Sequence, residues 1–303
     1  MNLRNFLSCV LLLGLALPAL SLAQTRTASH KKPVQSHARK VPSTQANTLQ
    51  PPALEPRAIE VLKAASSKLA SARNVSFTAV EVFETSSRHG HPLALTTRYE
   101  VAMQRPDKLR VLVAGDGPAS EFYYNGKLMM ALAPSEDLIA MTEAPPTIDA
   151  TLEAAYKQAA IYFPFTDILV TDPYKDMQPG LKLAYYVGQS KVVGGTTTDI
   201  VAYVDQGVFL QMWVGAEDKL PRMIRAVYLD DPAQLRHQLE ISNWQLDTEL
   251  PEETFRTARA GTAKHIAFAH PHPETSSGTK APVKPAAKPK SASAKTNSVA
   301  QAR

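Results

Sequence analysis

From Val75 to Trp244 the chain reads as one strand after another, and that succession restricts its fold more than any single motif does. Tyr99, Val101 and Met103 alternate with Arg98, Glu100 and Gln104, a period of two that sets an apolar face against a polar one. Pro106-Asp107 breaks this run before Leu109 to Val113. Asn125-Gly126 then stands between Glu121-Phe-Tyr-Tyr and Lys127-Leu-Met-Met, which predicts a hairpin closed by a type I′ turn with positive φ at both central residues. Leu138 to Met141 adds a strand before Pro145-Pro146. Further on, Leu181, Leu183, Tyr185 and Val187 alternate and Gly194-Gly195 turns the chain. Thr198 to Val204, Val208 to Val214, Arg222 to Leu229 and Leu235 to Trp244 follow as a meander. Connections this short make consecutive strands antiparallel neighbours.

Only two substantial helices interrupt the strands. Pro56 can occupy the first turn of one, whose apolar stripe is Ile59, Leu62, Ser66 and Leu69 with Lys63 and Lys68 off it. The other carries Leu152, Ala155, Tyr156 and Ala159 on one side, with Asp149 near its positive end. Phe163 to Leu169 reads as a short apolar turn or helix. These helices do not alternate with single strands, so the class is α+β rather than a parallel α/β sheet. Roughly 9 to 11 strands in one open sheet curl strongly instead of lying flat.

The flanks differ from this core. Arg4, the apolar run Phe6 to Leu20 and the small residues of Ser21-Leu22-Ala23 read as a signal peptide over 1–23, cleaved near Ala23/Gln24 and directing export to the periplasm. Cys9 is the only cysteine and lies inside that run, so the mature chain has no disulfide, thiolate metal site, thiol nucleophile or acylated cysteine. Residues 1–53 hold six basic and no acidic side chains, and residues 259–303 hold eight basic against Glu274 alone. The two flanks therefore carry +13 in a chain of +5, which leaves −8 for residues 54–258. The domain reading is a signal peptide at 1–23, a disordered basic linker at 24–53, a folded domain at 54–258 and a disordered Pro/Ala/Lys-rich tail at 259–303. Such polycationic flanks suit anionic membrane or cell-wall surfaces; no nucleic-acid module is visible.

Signals for catalysis are sparse. Five of the eight histidines, His30, His37, His265, His270 and His272, fall in the flanks, and His89-Gly90-His91 sits at a hairpin turn. His237 lies in the stripe Leu235, His237, Leu239, Ile241, where it reads as a core or pocket-edge residue. No HExxH, G-x-S-x-G or phosphate-cradling glycine loop occurs, and no cofactor or metal site is expected.

The order of motifs carries a resemblance. An amphipathic helix precedes a strand ending in Arg105-Pro106-Asp107-Lys108-Leu109-Arg110, and Tyr124-Asn125-Gly126-Lys127 opens a hairpin strand. Trp213-Val214, Leu220-Pro221-Arg222, Asn243-Trp244, Leu250-Pro251 and Phe255 follow. Over about residues 54 to 258 this series resembles the predicted periplasmic family called domain of unknown function 2092, in the LolA-like lipoprotein-carrier superfamily. The resemblance implies an unclosed half-barrel of antiparallel strands whose concave apolar face is covered by helices and holds acyl chains. It also implies ligand handling by an Arg beside a Pro, here Arg105.

An apolar concavity lined by Met and aromatic side chains suits variable acyl chains. The expected ligand-binding set is Tyr99, Val101, Met103, Arg105, Met129, Met212 and Trp213, with Met130 and Met141 as further candidates. The expected protein is a monomeric, non-enzymatic binder of a lipid or lipoprotein. The second reading is a periplasmic sensor or regulatory module that binds a protein partner, and an enzyme is the third.

Overall fold

The computed structural model of the chain describes residues 53–270. The expected signal peptide, the linker up to residue 52 and the tail from residue 271 lie outside the described residues.

The first helix, α1 (Pro56–Ser71), has proline in its first turn and buries Ala58, Leu62, Ala65, Ser66 and Leu69, the stripe seen in the sequence plus two alanines. Six strands follow as a meander: β1 (Asn74–Ser86), β2 (Pro92–Gln104), β3 (Lys108–Gly115), β4 (Ser120–Tyr124), β5 (Leu128–Ala133) and β6 (Leu138–Glu143). A helical passage, α2 (Ile148–Ala159), α3 (Thr166–Leu169) and α4 (Pro173–Met177), leads to a second meander. This consists of β7 (Leu181–Ser190), β8 (Thr198–Asp205), β9 (Val208–Gly215), β10 (Pro221–Tyr228) and β11 (Arg236–Leu246), and β12 (Lys264–Ile266) comes last.

All twelve strands form one sheet in the order β12-β6-β5-β4-β3-β2-β1-β11-β10-β9-β8-β7. The two meanders thus run outward from a shared centre, where β1 pairs antiparallel with β11 from Val75↔Leu246 to Phe83↔His237. The sheet is open: β12 and β7 are its two edges. The class is α+β, as the sequence indicates, with one strand more than the upper end of the expected range.

The helices cover one face. Ile148, Leu152 and Ala155 of α2 and Ile168 and Leu169 of α3 pack with Val101, Met103, Leu109, Phe122 and Met129 in the largest core cluster. Its centre is aromatic: Phe165 meets Phe77 edge-on at 5.4 Å and Tyr99 at 5.2 Å, and stacks on Phe163 at 5.7 Å. A second cluster joins α1 to β7, β8 and β9 through Ala58, Leu62, Ala65, Ala184, Val201, Tyr203, Met212 and Val214.

Three local readings change. Asn125 does not take positive φ; Gly126 alone does, at φ 90°, so the hairpin turn is not type I′. Instead the Asn125 Oδ1 accepts from the backbone N–H of Lys127 (3.1 Å) and Leu128 (3.0 Å), a side-chain turn that replaces the backbone one. In β7, Ala184 is the buried residue while Leu183 and Tyr185 are half-buried and Val187 is exposed. Register shifts on either side of Leu183 to Tyr186 break the simple alternation of this edge strand.

The third change is at the C-terminus. β12 lies beyond residue 258, within the stretch read as tail, and pairs parallel with β6. Before it, Phe255 is buried and Ala263 joins Tyr123, Met130, Leu132 and Ile139 on the sheet face away from the helices. Lys108 forms an ion pair with Glu252, which ties this strap to β3.

An apolar cavity with an acidic end

Between the two clusters the face under the helices is not filled. A cavity of about 920 Å³, counted out to its mouth, lies between α1, α3 and α4 on one side and β8, β9, β10 and β11 on the other. Its walls are largely apolar: Leu62, Ala65 and Leu69 from α1, Ile168 from α3, Met177 from α4, and Leu210, Met212, Ile224 and Leu239 from the sheet.

Local structure explains why the cavity stays open. Ser66, the polar residue in the stripe of α1, donates its hydroxyl to Asp172 Oδ1 (3.2 Å) and accepts the Tyr174 N–H (2.9 Å). Asp172 also caps α4 by accepting the Lys175 N–H at 3.1 Å. These bonds hold the short α4 against α1, so α4 roofs the cavity instead of dropping into it. Arg105 secures the other end of the passage by donating from Nη2 to the Val170 carbonyl at 3.2 Å. Burial lowers its pKa, an effect that Asp149 opposes.

Polar groups enter at two places. Glu81, with its side chain 8% exposed, accepts from the Tyr99 hydroxyl at 2.9 Å and lies 3.2 Å from His237 Nδ1. Tyr228 closes against that histidine edge-on at 5.4 Å. At the other end an adjoining recess is lined by Asp167, Asp176, Asp205 and Tyr203. Asp167 is exposed, and since it lines both spaces its accessible surface includes the cavity interior; protein around it and the nearby Asp176 and Asp205 push its pKa up to about 6. Asp205 is 9% exposed, and burial and Asp176 likewise push it up to about 6. Burial raises Tyr162 well above its ordinary value and brings Tyr228 up to about 12.

Of the expected ligand-binding residues, only Met212 lines the cavity. Tyr99, Val101, Met103 and Met129 are buried in the aromatic cluster under α2 and α3, with Tyr99 acting at the cavity only through its bond to Glu81. Trp213 follows Met212 by one residue and so faces the other side of the sheet. Met130 belongs to the cluster beneath the C-terminal strap, and Met141 packs against it. Arg105 is not among the lining residues. Glu81, Asp167, Asp205 and the tyrosines escaped the sequence reading, although two left a signal. Glu81 continues the buried stripe Val75, Phe77, Ala79, and Asp205 continues Val201, Tyr203. An acid in phase with an apolar stripe marks a polar group facing the interior.

Among the described residues no group of three or more His, Cys, Asp or Glu side chains is placed to hold a metal ion, and no helix is long and apolar enough to cross a membrane.

The structure is thus an open antiparallel sheet covered on one face by helices with an internal cavity, and the family follows from the sequence itself. The profile of the family described as "Predicted periplasmic protein (DUF2092)" matches residues 58–269, and the chain belongs to that family. No curated protein matches the chain. Among solved structures it is similar to MucB, with TM-score 0.40 and 13% identity over 70% of this chain and 66% of that one. It is also similar to the MucA/MucB complex of Pseudomonas aeruginosa, with TM-score 0.39 and 14% identity over 69% of this chain and 64% of that one. A LolA superfamily protein from Nitrosomonas europaea gives TM-score 0.30 and 10% identity over 66% of this chain and 97% of that one. The chain thus spans slightly less than two thirds of the MucB chains.

Proposed function

We propose that this protein is a non-enzymatic periplasmic binder of a hydrophobic ligand, held in the cavity between α1, α3, α4 and the second meander. The observation that carries the reading is the cavity itself, an unfilled space walled by Leu, Ile and Met side chains behind an open sheet. Apolar surface left unfilled in this way is stabilised by any ligand that removes it from water. The affinity of a simple alkyl ligand should then rise by about 0.8 kcal/mol for each buried CH₂, or roughly fourfold per carbon. Titration of a series of alkyl alcohols against the full chain tests this. Affinity that climbs with chain length and then levels off as the cavity fills supports it, and Met212→Glu, confirmed folded by circular dichroism, should weaken binding at least about tenfold. No saturable binding at any length, in folded and ligand-free protein, overturns the reading and leaves the partner-binding module as the better one.

The basic flanks, whose sequence is largely outside the described residues, are proposed to supply a separate electrostatic attachment to anionic surfaces. Removing residues 24–52 and 271–303 should abolish binding to anionic vesicles at low salt, since such attraction is screened by ions. Equal vesicle binding by the trimmed protein would rule that out.

A further inference from the structure

The charge of the cavity says what its ligand carries. Among the described residues, neither the cavity nor its acidic recess has a single Lys or Arg in its lining. Lys63 is not in the lining, although its ammonium lies 5.2 Å from the ring centre of Tyr174, which lines the cavity. Against that, Glu81 and Asp167 face the cavity, and Asp167, Asp176 and Asp205 face the recess. An anionic head group would meet carboxylates with no counter-charge, and a neutral one would leave them as they are.

Asp205 supplies the independent sign of a missing partner. Its Oδ1 is buried without a hydrogen-bond partner among the described residues, while the residue is only 9% exposed. The seat of that oxygen is built: a Cβ on Gly180 would stand 1.9 Å from it, so glycine there makes the room. Buried carboxylate oxygens are ordinarily paired, and this one, on a residue that lines the recess, lacks a donor among the described residues. Aromatic faces complete the surroundings, with Tyr203 between the recess and the cavity and Tyr162, Tyr174, Tyr228 and Phe165 along the cavity wall. Rings beside carboxylates are the setting in which organic cations are held.

We propose that the ligand is an amphiphilic organic cation, its alkyl part in the Leu/Ile/Met-lined cavity and its ammonium group at Asp167 and Asp205. This rests on the cavity being the ligand site. Because the protein around Asp167, the burial of Asp205 and the nearby Asp176 push both carboxyls up to about 6, cation binding is strong above that pH and is lost as they take up protons below it. The other titratable groups facing this region are Asp176, Glu81, His237 and the tyrosines Tyr162, Tyr174, Tyr203 and Tyr228.

The test uses the full chain at pH 8 in about 0.15 M salt, which screens the basic flanks. Three probes of equal chain length are titrated: decylammonium, decanol and decanoate. The expected result is that the ammonium binds about tenfold more tightly than decanol, about 1.4 kcal/mol, with decanoate weakest. That preference should fall to within about threefold at pH 5, and also in Asp167→Asn and Asp205→Asn variants shown to be folded by circular dichroism. Decanol bound while the ammonium is not preferred overturns this inference and leaves the apolar site standing; no binding by any probe overturns both. The pH comparison in the unaltered protein decides the matter even where a variant does not fold. Displacement of the ammonium by millimolar Ca²⁺ through the same aspartates assigns the recess to a metal and overturns the proposal. Equal binding by a short Lys-rich peptide without an alkyl chain assigns it to a protein partner and overturns it too.

Discussion

Asp205 shows how a single residue can work against stability. Its folded pKa of about 6 lies above its ordinary 3.8, so the native state binds more protons than the unfolded chain between those values. The stability of this group is therefore fully present below pH 3.8 and is lost as pH rises through 6. About two pKa units correspond to at most about 3 kcal/mol of destabilisation at neutral pH. Asp205→Asn should consequently raise stability at pH 7 by about 1 to 3 kcal/mol, with the gain shrinking toward pH 4; urea unfolding at both values measures it. A constant difference across pH would mean that the carboxylate has found a partner. Glu81 contrasts with this, since it accepts from the Tyr99 hydroxyl and adjoins His237. Removing its carboxylate as Glu81→Ala strands a buried hydroxyl and should cost about 1 to 3 kcal/mol in the same measurement.

At the scale of elements, the hairpin of β4 and β5 depends on Gly126 for two reasons. Its φ of 90° belongs to the left-handed region, and a Cβ there would come within 2.8 Å of Asp107 Oδ2. Gly126→Ala should destabilise the protein by about 1 to 2 kcal/mol, read as a lower urea midpoint with an unchanged slope. The hairpin itself was legible from Asn125-Gly126 between two apolar runs. The turn type was not, because Asn125 offers a side-chain acceptor that competes with the backbone geometry of a type I′ turn. A similar substitution occurs in β11, where Asn243 takes positive φ (56°) at an irregularity in the β1 pairing. There the Trp244 indole N–H reaches the Pro221 carbonyl at 2.8 Å and its ring lies 4.6 Å from Phe77. The motif was visible as Asn243-Trp244, but its use as a link between β10 and the core needed the partner strands.

For the whole molecule, the joining of the meanders at β1 and β11 brings the chain's first and last long strands to the middle of the sheet. The outer faces then need separate cover, and the C-terminal strap supplies it over β4, β5 and β6. A chain ending at residue 258 loses β12, Ala263 and the Arg259 bond to the Pro134 carbonyl (2.9 Å), and uncovers Tyr123, Met130 and Ile139. It should be about 1 to 2 kcal/mol less stable than one ending at residue 270, a fall of roughly 2 to 8 °C in Tm, and should bind a hydrophobic dye more strongly. Equal Tm values would show that the strap is dispensable.

The sequence by itself determined the strand succession and the α1 stripe, because period-two and period-3.6 patterns are local consequences of burying one face, while the apolar concavity was implied by the family resemblance. It also marked Met212 and placed His237 at a pocket edge. Only the tertiary structure decided which part of the concave face remains empty, since Tyr99, Val101, Met103 and Met129 have the same pattern as Met212 but receive α2 and α3 against them. It alone gathered Glu81, Asp167 and Asp205, which come from β1, α3 and β8 and share no sequence motif. β12 was hidden for the same reason: a three-residue parallel pairing carries no periodicity, and its strand exists because β6 offers it an edge.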